Sequence, residues 1–127
     1  MKKLILCSII TLCLTACNAQ DETVIQLQDG SKITFNNVIS TKQYTATKDD
    51  KDRQLHFLSV SDDLSSTYAD TVQNLEKAGY QSIEKSRSDK LIQVYFKKPK
   101  APLVVADLKK VEKSDATTHV VLSWALN

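Results

Sequence analysis

Two glycines in 127 residues are too few to build a phosphate-cradling loop. Neither G-x-x-x-x-G-K-[ST] nor G-x-G-x-x-G occurs, and no G-x-S-x-G turn exposes a nucleophilic serine. Only two prolines accompany them, and no segment repeats, which excludes a low-complexity or repeat chain. Cysteine is scarce and confined: Cys7, Cys13 and Cys17 all fall in the first 17 residues. Residues 18–127 therefore hold no thiol for a disulfide, a zinc site or a nucleophile. With two histidines and no H-E-x-x-H, a four-ligand zinc centre would need several carboxylates to complete it. A membrane-spanning helix is also missing from the pattern. The one sustained apolar stretch, residues 4–14, is well short of the roughly 20 residues that cross a bilayer.

That short stretch is nevertheless the most informative part of the chain. Lys2 and Lys3 precede it and Leu14-Thr15-Ala16-Cys17 follows. A positive start, a brief apolar run and small residues before a cut are the layout of a secretory signal. The closing tetrapeptide resembles the lipobox of bacterial membrane lipoproteins, [LVI]-[AST]-[GA]-C, with each of its four residues in the expected class. The resemblance covers only residues 1–17. It implies that residues 1–16 are a cleaved signal peptide, with Leu14, Thr15 and Ala16 read by the signal peptidase. It also implies that Cys17 becomes the new N-terminus and carries the lipid, diacylated on sulfur and then N-acylated. By resemblance to Gram-negative lipoproteins, Asn18 after the cysteine, rather than Asp, implies an outer-membrane anchor with the domain facing the periplasm.

Cleavage before Cys17 leaves 111 of the 127 residues, enough for one domain with its own core. Lys2 and Lys3 depart with the signal and no acidic residue does, so 17 basic against 15 acidic residues become 15 against 15. A neutral domain has no general field to steer nucleic acid, and none is expected as a partner. Residues 17–23 read as the lipidated cysteine and a short polar tether, and residues 24–127 as a single domain. Five extended residues reach at most about 18 Å, so the domain is held close to the bilayer.

Alternation of apolar residues lays out the domain. Ile25 and Leu27, then Ile33 and Phe35, flank Asp29-Gly30 as a β-hairpin. Parity selects a three-residue loop, Gln28-Asp29-Gly30, because it sets Ile25 opposite Ile33 and keeps the apolar residues on one face. Residues 40–53 are polar with mixed Lys and Asp, and read as a solvated loop in which Tyr44 is the one residue suited to anchoring a partner. Asp49, Asp50 and Asp52 lack the glycine and distal glutamate of a calcium loop. Residues 54–60 carry apolar side chains on both faces, as an interior strand does.

Residues 61–79 read as a helix, with Ser61 as N-cap, Asp62 and Asp63 in the first turn and Gly79 as the stop. Its apolar stripe is Leu64, Tyr68, Val72, Leu75 and Ala78, with Thr67 and Asn74 outside it. Two more hairpins follow, across residues 80–98 and 103–126. The expected fold is α+β, with one long helix packed on a mostly antiparallel sheet of hairpins.

Chemistry is thin in this pattern. His56 and His119 lie on strands that could be neighbours, where they could act together as base or ligand. An enzyme or small-ligand carrier would need a deep pocket lined by one of them. No catalytic residue, metal or cofactor is assigned. The favoured expectation is a non-catalytic, membrane-anchored lipoprotein that binds a protein partner in the cell envelope. The alternative is an inhibitor or immunity-type lipoprotein that blocks an incoming enzyme or toxin, for which a protruding loop would argue.

Overall fold

A computed structural model describes residues 22–112 and 116–126. The expected signal peptide, Leu14, Thr15, Ala16, Cys17 and most of the expected tether lie outside the described residues. The elements, in order, are β1 (Glu22–Gln26), β2 (Lys32–Asn36), β3 (Val38–Lys48), β4 (Lys51–Val60), α1 (Leu64–Lys77), β5 (Gln81–Arg87), β6 (Leu91–Lys97), β7 (Val104–Lys110) and β8 (Thr118–Ala125). β1 already includes Glu22 and Thr23 of the expected tether. The fold is a sheet-dominant α+β arrangement. β1 and β2 pair as a separate hairpin, and the other six strands form one antiparallel sheet in the order β3-β4-β8-β7-β6-β5.

The first hairpin has the register that parity requires. Ile25 pairs with Ile33, and Leu27 exchanges a bond with Ser31 around Gln28, Asp29 and Gly30. Gly30 has φ of +93°, a conformation that only glycine adopts freely, so it closes the loop without strain. All four apolar residues, Ile25, Leu27, Ile33 and Phe35, are buried.

The polar stretch 40–53 is not a loop. It forms most of β3, the turn Asp49-Asp50, and the start of β4, with Lys48 paired to Lys51. Both turn aspartates have positive φ, 56° and 63°, as a two-residue hairpin turn with the right twist demands. Two features conceal this hairpin in the sequence. The turn uses Asp-Asp where glycine is usual, and β3 lies at the sheet edge, where neither face needs a regular apolar pattern. Asn37, with φ of 61°, is the corner that carries the chain from β2 into β3.

In the six-stranded sheet, residues in register build one continuous apolar face. Leu58 pairs with Val120, Val120 with Leu108, and Leu108 with Ile92. The next row runs His56, Leu122, Ala106, Val94. Apart from His56, these side chains are at most 1 % exposed. The β1–β2 hairpin and α1 lie side by side over this face and seal it, joined by the Asn74 amide donating to the Thr34 carbonyl at 2.7 Å.

α1 is 14 residues long and starts later than its sequence suggests. Asp63, not Ser61, is the N-cap, accepting from the Ser66 backbone N–H at 2.7 Å. Asp62 instead accepts both bonds from the Asn37 side-chain amide, which ties the β2–β3 corner to the helix start. The buried line is Thr67, Thr71 and Leu75, so Thr67 faces inward, contrary to the stripe read from hydropathy. Burial is tolerable because the hydroxyls find backbone acceptors, Thr71 donating to the Thr67 carbonyl at 2.7 Å and Thr67 to the Asp62 carbonyl just before the helix at 3.5 Å. Leu64, Tyr68, Val72 and Ala78 flank that line, since a helix wedged between sheet and hairpin buries more than one stripe. The C-terminus ends as expected, with Gly79 at φ +97° and Tyr80 N–H returning to the Leu75 carbonyl at 3.0 Å.

Lys98 joins three elements at that end. Its Nζ donates to the Ala78 carbonyl at 2.8 Å and to Asp29 Oδ2 at 2.5 Å, and lies 5.2 Å from the Tyr80 ring centre. Burial alone would raise the Asp29 carboxyl. Hydrogen bonds from Lys98 and Ser31 outweigh it and lower the group to about 2. The Tyr80 hydroxyl lies near this carboxylate without reaching hydrogen-bonding geometry. Burial and then the negative charge push it up to about 12.

Candidate functional site

The opposite face of the six-stranded sheet is covered by nothing among the described residues. Its register brings together Tyr44 and Leu55, Phe57 and Val121, and Val105 and Tyr95, with Ser59 opposite His119 and Ser123 beside Leu55. Polar pairs are interspersed. Gln93 donates to Asp107 at 2.9 Å and Arg53 to the Ser123 hydroxyl at 3.0 Å. The face is thus part apolar and part hydrogen-bonded, unlike the dry layer on the other side.

Tyr44 stands on β3 at the margin of this open face, half exposed at 50 %. It borders a shallow depression of about 420 Å³ lined by Ser40, Lys42, Tyr44, Phe57, Ser59 and His119. Tyr44 is therefore held on a strand of an extended surface and does not hang from a mobile loop. β3 is eleven residues long and, among the described residues, has one sheet neighbour, β4, so its other edge presents backbone donors and acceptors.

The two histidines do not meet. β4 and β8 are indeed adjacent, but position 56 faces the core side and position 119 the open side. His119 meets the Phe57 ring edge-on at 5.1 Å. His56 stacks on Trp124 with ring centres 5.3 Å apart and planes at 21°. Burial lowers the His56 pKa below its usual value, which favours the neutral imidazole. Hydropathy alternation alone marks Trp124 as core, and it is 2 % exposed.

Beside this stack, a groove of about 530 Å³ runs between the first hairpin and the middle of β3 and β4, closed by the end of β8. The sequence offers little signal for it, because its residues come from four strands and only pairing order assembles them. The carboxylates stay apart: Glu84 accepts from Arg87 and Tyr68 on the helix side, while Asp107 lies on the open face. Among the described residues, no three His, Cys, Asp or Glu side chains converge as a metal ion requires, and no helix is long and apolar enough to cross a membrane.

The fold and its surfaces define a small sheet-dominant α+β domain. No protein-family model, curated protein or solved structure matches this chain.

Proposed function

We propose that this chain is a lipoprotein anchored through Cys17, facing the periplasm from the outer membrane, that binds a protein partner of the envelope and catalyses nothing. The observation that carries the binding reading is the open sheet face continuous with the β3 edge. An eleven-residue edge strand can take on a strand of a partner, and Tyr44 with Phe57 supplies aromatic contact beside it. The lipobox resemblance carries the anchor. Because β1 begins five residues after Cys17, the domain sits within about 18 Å of the lipid. A partner in the same membrane, or docked on it, is within reach.

An inhibitor that fills a cleft needs a projecting segment. The β3–β4 hairpin offers none, since Asp52 is still bonded to the chain end by the Leu126 N–H at 3.0 Å and Asp49-Asp50 closes the turn two residues earlier in the pairing. A broad, partly apolar face suits assembly better.

A photo-cross-linking residue placed at position 44 tests this in intact cells of the native host, with the same residue at Lys77 on the far side of the molecule as control. The expected result is a discrete protein adduct from position 44 that is absent from position 77 and lost in Cys17→Ala. No adduct, equal yield from both positions, or an adduct unchanged in Cys17→Ala overturns the reading.

A further inference from the structure

The groove beside His56 has a composition unlike the rest of the surface. A quarter of the chain is charged, yet no Lys, Arg, Asp or Glu lines it. In their place stand the side chains of Gln26, Gln28, Gln43 and Gln54, half of the eight glutamines in the sequence. Each amide carries both donors and an acceptor. Only Gln54 has a hydrogen bond of its own, a long one of 3.4 Å to the Tyr44 carbonyl. Val24, 59 % exposed, and Leu126 add apolar surface along the same groove.

The wall of the groove is the His56–Trp124 stack. Trp124 is 2 % exposed, and its indole N–H makes no hydrogen bond within the protein. A buried donor without an acceptor is costly, and native structures rarely keep one without a reason.

We propose that this groove binds a short neutral saccharide. Sugar hydroxyls are donors and acceptors at once, as the glutamine amides are, so the two match without any charge. The C–H faces of a sugar ring suit Val24 and Leu126. An anionic or cationic ligand would find no counter-charge here. A peptide main chain is recognised by the backbone of a strand edge, whereas this groove is lined with side chains. Its volume lies within the range of small-molecule sites, about 300–1,000 Å³. The site is separate from the open face, so either assignment can fail without the other.

Trp124 is the only tryptophan in the chain, and its emission reports on the groove directly. The full chain, in a detergent without a sugar headgroup, is titrated with N-acetylchitotetraose, maltotetraose and cellotetraose, with tetra-alanine as the peptide control. The expected result is a saturable emission change with at least one tetrasaccharide. Gln43→Leu and Gln54→Leu each weaken it by about tenfold or more, with an unchanged melting temperature. Gln73→Leu, on the outer face of α1, leaves it unaltered. Gln43 is exposed, so its variant keeps the test open if Gln54→Leu does not fold. No saturable change up to about 20 mM, an affinity in both groove variants equal to that of the unaltered chain, or tighter binding of tetra-alanine overturns the proposal.

Discussion

The two faces of the six-stranded sheet are made by the same strands, one residue out of step, and they differ in what covers them. On one side Leu58, Val120, Leu108 and Ile92 form an unbroken apolar row under α1 and the first hairpin. On the other, Phe57, Val121 and Tyr95 alternate with Ser59, His119, Asp107 and Gln93, and no element of the described chain lies over them. The covered face is where stability resides, because water is excluded from it. The open face mixes apolar surface with hydrogen-bonded polar pairs, the composition that the proposed partner contact requires. The two sheet edges differ in a similar way. β5 is seven residues long and is bent by a bulge at Lys85, between Glu84 and Ser86, which discourages further pairing. β3 is longer and regular from Ser40 onward.

This contrast can be broken most forcefully from the covered side. Leu122 is fully buried between His56 and Ala106, so Leu122→Ala is expected to lower unfolding stability by about 2–5 kcal/mol. Chemical denaturation measures it, and a loss below about 1 kcal/mol would mean the covered face is not the packed core described. A smaller effect is expected at the seam between hairpin and helix. The Asp29 carboxyl titrates at about 2 in the folded chain against an ordinary value of 3.8. A depressed folded value contributes stability that is complete above the ordinary value and is lost as pH falls toward 2. Stability should therefore decline between about pH 4 and pH 2, by about 1 kcal/mol once solvent screening is allowed for. Asp29→Asn should remove that part of the acid limb. An unchanged limb in the variant would show that the Lys98 contact contributes nothing. The smallest stability effect belongs to the open face. Tyr44→Ala should shift unfolding by less than about 0.5 kcal/mol while abolishing retention of the envelope partner. A large destabilisation would place Tyr44 in the core rather than on a contact surface.

Legibility followed the same division. The first hairpin could be read to its register because Ile25, Leu27, Ile33 and Phe35 permit one parity only, and Gly30 marks the loop. β6 and β8 were plain for the same reason: each buries alternate residues. β3 was illegible because no described residue covers its outer side, so Thr, Ser, Gln and Lys satisfy it as well as Val would, and its turn has no glycine. The inward orientation of Thr67 was hidden because a hydroxyl bonded to a nearby backbone carbonyl, here that of Asp62, buries as an apolar group does. Tyr44 was legible as an exposed aromatic within a polar segment, but its surroundings were not. The glutamine groove could not be read at all, since its members are spread over residues 24–126.

Local pattern by itself determined the strands with a buried face, the helix, its glycine stop, the absence of thiol chemistry in residues 18–127 and the signal-like N-terminus. Each of these depends on neighbours within a few positions, where periodicity and backbone sterics act. Only the tertiary structure decided that β4 pairs with β8, that His56 and His119 face opposite sides, and that the described residues leave one face of the sheet open. Those outcomes depend on which strands lie adjacent, and adjacency is set by how the whole apolar surface is buried at once.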